Sequence, residues 1–122
     1  FVAGARGERP ALVSTTDSVG SAMLTTSGFG SWSTEQVVAV HGCGALLRTW
    51  GDGYGYAMVA TGVADAMVDP IVAEWDVAPM SIILAEAGGR FTALDGTEGA
   101  DRGSGLGTNG LIHDQLMALI PH

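Results

Sequence analysis

The sequence predicts a layered α/β fold. Three observations carry that expectation. Short β-branched or apolar runs alternate with segments of helical spacing from about residue 44 onward, 19 glycines punctuate the boundaries, and 47% hydrophobic residues among 122 supply a sizeable core. The glycines lie between apolar segments and do not gather into a linker, so a single compact unit is expected.

The elements follow in order. "ALVSTT" after Pro10 and "SAMLTTS" further on have the short, β-branched character of strands. "GFGSWSTEQ" reads as a loop, with Ser33 or Thr34 placed to cap a short helix through "EQVVAV". "ALLRTW" is the next strand. In "GDGYGYAMVATG" the glycines weaken a helix, but Tyr56, Val59, Ala60 and Val63 keep helical spacing and predict one. "VADAMVD" alternates as a strand and stops at Pro70. The clearest helix is "WDVAPMSIILAEAGG": Val77, Met80, Leu84 and Ala87 fall on one face, and Gly88-Gly89 supplies a left-handed stop. "RFTAL" is a strand, the acidic "DGTEGADRGSG" a loop and "LGT" a short strand. Asn109 then caps a last helix whose buried side is Leu111, Ile112, Leu116, Leu119 and Ile120.

Charge and cysteine content exclude several functions. Thirteen acids face five bases, all arginine, for a net charge of -8, so the basic stripe of a nucleic-acid binder is missing. Cys43 stands alone, which rules out an internal disulfide and a cysteine-rich zinc site and suits a reducing compartment. No apolar run approaches the roughly 20 residues that span a bilayer, and "FVAGARGERP" lacks the order of a secretion signal. A cytoplasmic protein with no membrane partner is expected, and Phe1 suggests further residues upstream.

Chemistry gathers in one region. Between Thr49 and Gly89 stand six acids, Asp52, Asp65, Asp69, Glu74, Asp76 and Glu86, with no lysine or arginine among them. Uncompensated carboxylates either face water or hold a cation. Asp65, in an alternating strand, and Glu86, near a helix end where the dipole disfavours an anion, read as solvated surface. Asp76 differs because it falls in the first turn of a helix beside Trp75, where the dipole favours the ionised form by about 0.3–1 kcal/mol. A helix-start acid and a ligand for a hard cation such as Mg2+ both fit that position.

Two other patterns carry little. Gly105-Leu-Gly-Thr-Asn-Gly110 has dinucleotide-loop spacing, but the sequence ends at His122 without a second strand or a ribose-binding acid, so it reads as a loop. His41, His113 and His122 lack i, i+4 pairing and no Gly-x-Ser-x-Gly is present, which leaves zinc and serine hydrolases unsupported.

"WDVAPMSIILAEAGG" resembles the C-terminal signature of the inositol monophosphatase family, and "RTWGDGYGYAMVATGVADAMVDP" is similar to the corresponding segment of its histidinol-phosphate phosphatase branch. The likeness extends over "ERPALVSTTDSVGSAML" and "LGTNGLIHDQLMALI", hence most of the chain. It implies the C-terminal half of an αβαβα layered fold. It also implies that Asp76 is a ligand of a catalytic Mg2+ cluster, and that Gly51, Asp52, Gly53 and Asp69 contact substrate. Arg48 matches an arginine that braces the pocket, by pairing with a carboxylate such as Asp69 or by touching a neighbouring subunit; a structural salt bridge is the plainer reading. The implied reaction is metal-assisted hydrolysis of a small phosphate monoester. Histidinol carries an ammonium group, so Asp52 and Asp69 suit it better than uncharged inositol.

The departures matter as much. The family's further metal ligands, a Glu and an Asp-Pro-(Ile/Leu)-Asp-Gly-(Thr/Ser) motif, belong to an N-terminal half and are not in this sequence; "VDPIVAE" begins like that motif but puts Val72 where its second Asp belongs. Pro79 and Met80 stand where residues are usually small. Residues 1–122 are therefore expected to be a single C-terminal domain of a longer, homodimeric enzyme whose catalytic residues lie in the missing half. On its own the fragment is expected to be inactive and poorly soluble. An inositol phosphate or other small ester as substrate, and a non-catalytic assembly module on the same fold, are the competing readings.

Overall fold

The computed structural model describes residues 10–50 and 52–122, with side chains for all of these except 52, 53 and 74–76. Among the described residues nine elements of α-helix and strand follow one another: β1 (Met23–Thr25), α1 (Thr34–His41), β2 (Leu46–Arg48), α2 (Asp52–Ala60), β3 (Ala66–Asp69), α3 (Glu74–Glu86), β4 (Arg90–Thr92), β5 (Gly105–Thr108) and α4 (His113–Leu119). The strands form one sheet in the order β2-β1-β3-β5-β4. β1 runs parallel to both β2 and β3, whereas β5 is antiparallel to β3 and β4.

Helices cover both faces of the sheet. On one side Val40 of α1 and Leu116 of α4 pack on Leu24, Ala66, Val68 and Leu106. On the other, Tyr56 and Val59 of α2 join Val77 and Leu84 of α3 against Met67 and Phe91. β3 lies at the centre, and all four of its residues are buried. "VADAMVD" is thus a strand without the expected alternation in exposure, because a strand covered on both faces has no solvent side.

Local chemistry sets the helix ends. Ser33 and Gln36 form a reciprocal capping box at the start of α1, each side chain bonding the other's backbone N–H. α3 stops in a Schellman turn: Gly88, with φ +92°, follows the cap, and the N–H of Gly89 donates to the Leu84 carbonyl at 2.8 Å. At the last helix the Asn109 Oδ1 accepts from the N–H groups of Leu111 and Ile112 at 3.0 and 3.3 Å, closing a side-chain turn just ahead of α4. Ile112, Leu116 and Ile120 are buried, but Leu111 is 55% exposed because that turn precedes the helix and points it outward.

Three expectations are corrected here. Residues 11–16 form no strand. They cross the strand ends instead, tied by the Val13 N–H to the Ala87 carbonyl and by Ser14 to Asp65. Gly105–Thr108 is a strand, as expected for "LGT", and not the loop that its glycine spacing suggested. Asp65 is not solvated surface: only 8% exposed, it accepts from Ser14 Oγ at 2.5 Å and the Met23 N–H at 2.6 Å, while its carbonyl receives the Asn109 N–H.

His113 is a buried structural group. Thr92 gives its hydroxyl proton to the Ala93 carbonyl, so it accepts from His113 Nε2–H at 2.8 Å; His113 Nδ1 then accepts from Thr108 at 2.8 Å, while Thr108 accepts from the Gly110 N–H. This assigns the neutral Nε2–H tautomer. Burial first, then the Arg90 charge, lowers its pKa to about 4, with Asp114 opposing. The unfolded chain binds a proton near pH 6.5 and the folded one only near 4, so stability falls as pH drops through that window, by on the order of 3 kcal/mol. Thermal midpoints should decline between those pH values and level below them, with His113→Gln flattening the profile. An imidazole titrating near its free value by NMR would contradict this.

Candidate functional site

The parallel strands β2, β1 and β3 bring their C-terminal ends to one side of the sheet, the position where open α/β sheets gather ligands. α2 and α3 both begin on the chain leaving those ends. The entry to α2 is pinned: Trp50 N–H donates to Thr25 Oγ1, and that hydroxyl donates back to the Trp50 carbonyl, both at 2.9 Å.

Asp69, the last residue of β3, is the centre of this end. It is only 3% exposed. Its Oδ1 accepts from the Ser27 N–H at 3.1 Å and from Thr26 Oγ1 at 3.3 Å, and its Oδ2 from Tyr56 OH at 3.1 Å and Ser27 Oγ at 3.2 Å. All four partners, one backbone amide and three hydroxyls, can donate to the carboxylate. Behind it the Trp32 indole N–H donates to Thr26 Oγ1 at 3.1 Å. Among the described residues Asp69 makes no ion pair; those present are Arg90–Asp114 and Arg102–Asp101, both exposed. Burial first, then the Asp69 charge and its hydrogen bond, push the Tyr56 phenol far above its ordinary pKa, so it remains a neutral donor.

β5 makes room for Tyr56. A Cβ on Gly105 would meet Tyr56 OH at 2.7 Å, and one on Gly107 would meet Leu84 Cδ1 at 2.6 Å and Tyr56 Cδ1 at 3.0 Å. Phe91 closes the slot edge-on, its ring centre 5.8 Å from that of Tyr56. The Gly-x-Gly spacing that resembles a dinucleotide loop is in fact a flat strand face under an aromatic ring.

The residues singled out from sequence divide accordingly. Asp69 is at the centre of the cluster. Arg48 is exposed on the edge strand, with β1 between it and β3, and the pairing with Asp69 does not occur because hydroxyls and an amide fill that role. Gly51 lies outside the described residues; Asp52 and Gly53 open α2 and Asp76 stands in the first turn of α3, all three with side chains outside the description. Thr26, Ser27 and Trp32 went unread because nothing in a serine- and threonine-rich turn marks which hydroxyl meets a carboxylate 42 or 43 residues away. Among the described residues no three carboxylate, imidazole or thiol groups converge where a metal ion could be held. That set does not include the side chains of Asp52 and Asp76.

A model of the inositol monophosphatase family matches residues 9–121. The chain belongs to the inositol monophosphatase family. It is similar to a histidinol-phosphatase of Mycobacterium tuberculosis, 38% identical over 120 residues that cover 95% of this chain and 46% of that protein. A second histidinol-phosphatase, from Streptomyces coelicolor, is 42% identical over 73 residues, covering 60% of the chain and 27% of the relative. The inositol monophosphatase structure from Anabaena superposes with a TM-score of 0.80 at 30% identity, over 93% of this chain and 49% of that one. The chain thus spans less than half the length of the relatives it matches, and the layered α/β architecture is that of the family. No helix among the described residues is long and apolar enough to cross a membrane.

The glycine slot yields a test. Gly107→Ala should overpack the Tyr56–Leu84 contact and cost about 1–3 kcal/mol, while Gly30→Ala, with nothing within 4 Å of its Cβ, should be nearly neutral. Equal denaturant midpoints for the two variants would contradict the packing described.

Proposed function

We propose that these residues form the C-terminal part of a Mg2+-dependent phosphomonoesterase that hydrolyses histidinol phosphate to histidinol. The observation that carries the reading is the 38% identity to a histidinol-phosphatase over 95% of the chain. A metal-binding N-terminal half would precede these residues in the complete enzyme.

In this reading Asp76 contributes one carboxylate to Mg2+, and the other ligands come from the preceding polypeptide. Asp52 and Gly53, at the start of α2, line the substrate pocket with Gly51 and Asp69. Buried Asp69, which makes no ion pair among the described residues, supports a cationic group on the substrate, since a desolvated carboxylate gains most from an opposite charge. Exposed Arg48, at the end of the edge strand, fits a contact with a second subunit of a homodimer. The likeness to the Anabaena inositol monophosphatase supports inositol phosphate as the alternative substrate.

Two substitutions in the full-length enzyme test the proposal. Asp76→Asn should lower turnover at least about 100-fold, and raise the Mg2+ concentration needed for half activity. Asp52→Asn should impair hydrolysis of histidinol phosphate more than that of inositol 1-phosphate. Full activity in Asp76→Asn would remove the metal role, and equal losses on both esters would remove the ammonium contact.

A further inference from the structure

The four donors around Asp69 are not equivalent. Thr26 Oγ1 lies 3.3 Å from both Asp69 Oδ1 and the Gly28 carbonyl, and its single proton can turn from one to the other. When it does, Oδ1 keeps the Ser27 N–H and gains an open lone pair. Tyr56 has no such freedom. Its hydroxyl is 3.1 Å from Oδ2, and its ring is confined by Gly105, Gly107 and Phe91 in a slot where the residue is 1% exposed. Each oxygen of Asp69 thus holds one fixed donor, the Ser27 N–H on Oδ1 and the Tyr56 hydroxyl on Oδ2, and one hydroxyl that can turn, that of Thr26 on Oδ1 and of Ser27 on Oδ2. Ser27, beside both oxygens, is the exposed member of the group, which places the approach on its side.

We propose that Tyr56 is a positioning residue for substrate selectivity: by anchoring Asp69 Oδ2 it fixes the orientation in which the carboxylate meets the ammonium group of a phosphate monoester's alcohol. The proposal rests on the phosphatase reading above. Tyr56 touches neither the phosphoryl group nor a metal in this account; it acts through Asp69 alone. A core tyrosine that merely satisfies its hydroxyl would affect all substrates alike, and that difference is measurable.

The experiment is steady-state kinetics of the full-length enzyme and its Tyr56→Phe variant on histidinol phosphate and on inositol 1-phosphate. Losing a hydrogen bond to a charged group predicts a KM for histidinol phosphate raised about tenfold with kcat little changed, and a much smaller change for the uncharged alcohol's ester. Gly105→Ala, which displaces the same hydroxyl from the strand side, should reproduce that split and serves if Tyr56→Phe does not fold. Equal KM shifts on both esters, or a loss confined to kcat, would overturn the role of Tyr56. Failure of the wild-type enzyme to hydrolyse histidinol phosphate would overturn the phosphatase reading itself.

Discussion

A buried carboxylate held entirely by neutral donors is the constraint around which this end of the molecule is arranged. Removing an ion from water costs several kcal/mol even after relaxation, and hydrogen bonds to a charge return about 1.5–3 kcal/mol each. Asp69 meets that cost with two hydroxyls from the turn after β1, one backbone amide and the Tyr56 phenol. The arrangement exists only because β1 and β3 are parallel neighbours, which sets Thr26 and Ser27 beside the end of β3. It exists also because β5 carries glycines where Tyr56 needs space.

A second buried acid, Asp65, directly precedes β3. Asp65 is bonded to Ser14 and to the Met23 N–H, and the Asn109 side chain completes the link through Ser14 and the Thr16 carbonyl. That cluster joins β1, β3, the end of β5 and the segment crossing them, so its work is structural. The Asp69 cluster lies where the chain turns toward two helix starts and includes an exposed serine. Two carboxylates of similar burial thus sit in different surroundings, one just before β3 and one at its end.

Much of the fold was legible because its signals are local. The Ser33 cap, the Gly88 stop and the Val77, Leu84 and Ala87 face each follow from short spacing. Residues 11–16 misled because β-branched content marks suitability for a sheet but not access to an open edge. β3 hid its two-sided burial, and Asp65 with it, since a central strand's environment is set by β1 and β5, distant in sequence. Of the candidate site, Asp69 drew notice through its place in a family-like segment, but its partners Thr26, Ser27 and Tyr56 depend on pairings that only the folded chain creates.

The most direct measurement is a crystal structure of the full-length enzyme with histidinol and Mg2+ bound. The account predicts the histidinol ammonium within hydrogen-bond distance of the Asp69 carboxylate, the Tyr56 hydroxyl still bonded to it, and the Asp76 carboxylate on the metal. An ammonium group directed to another acid, with Asp69 still closed by its four donors, would contradict it.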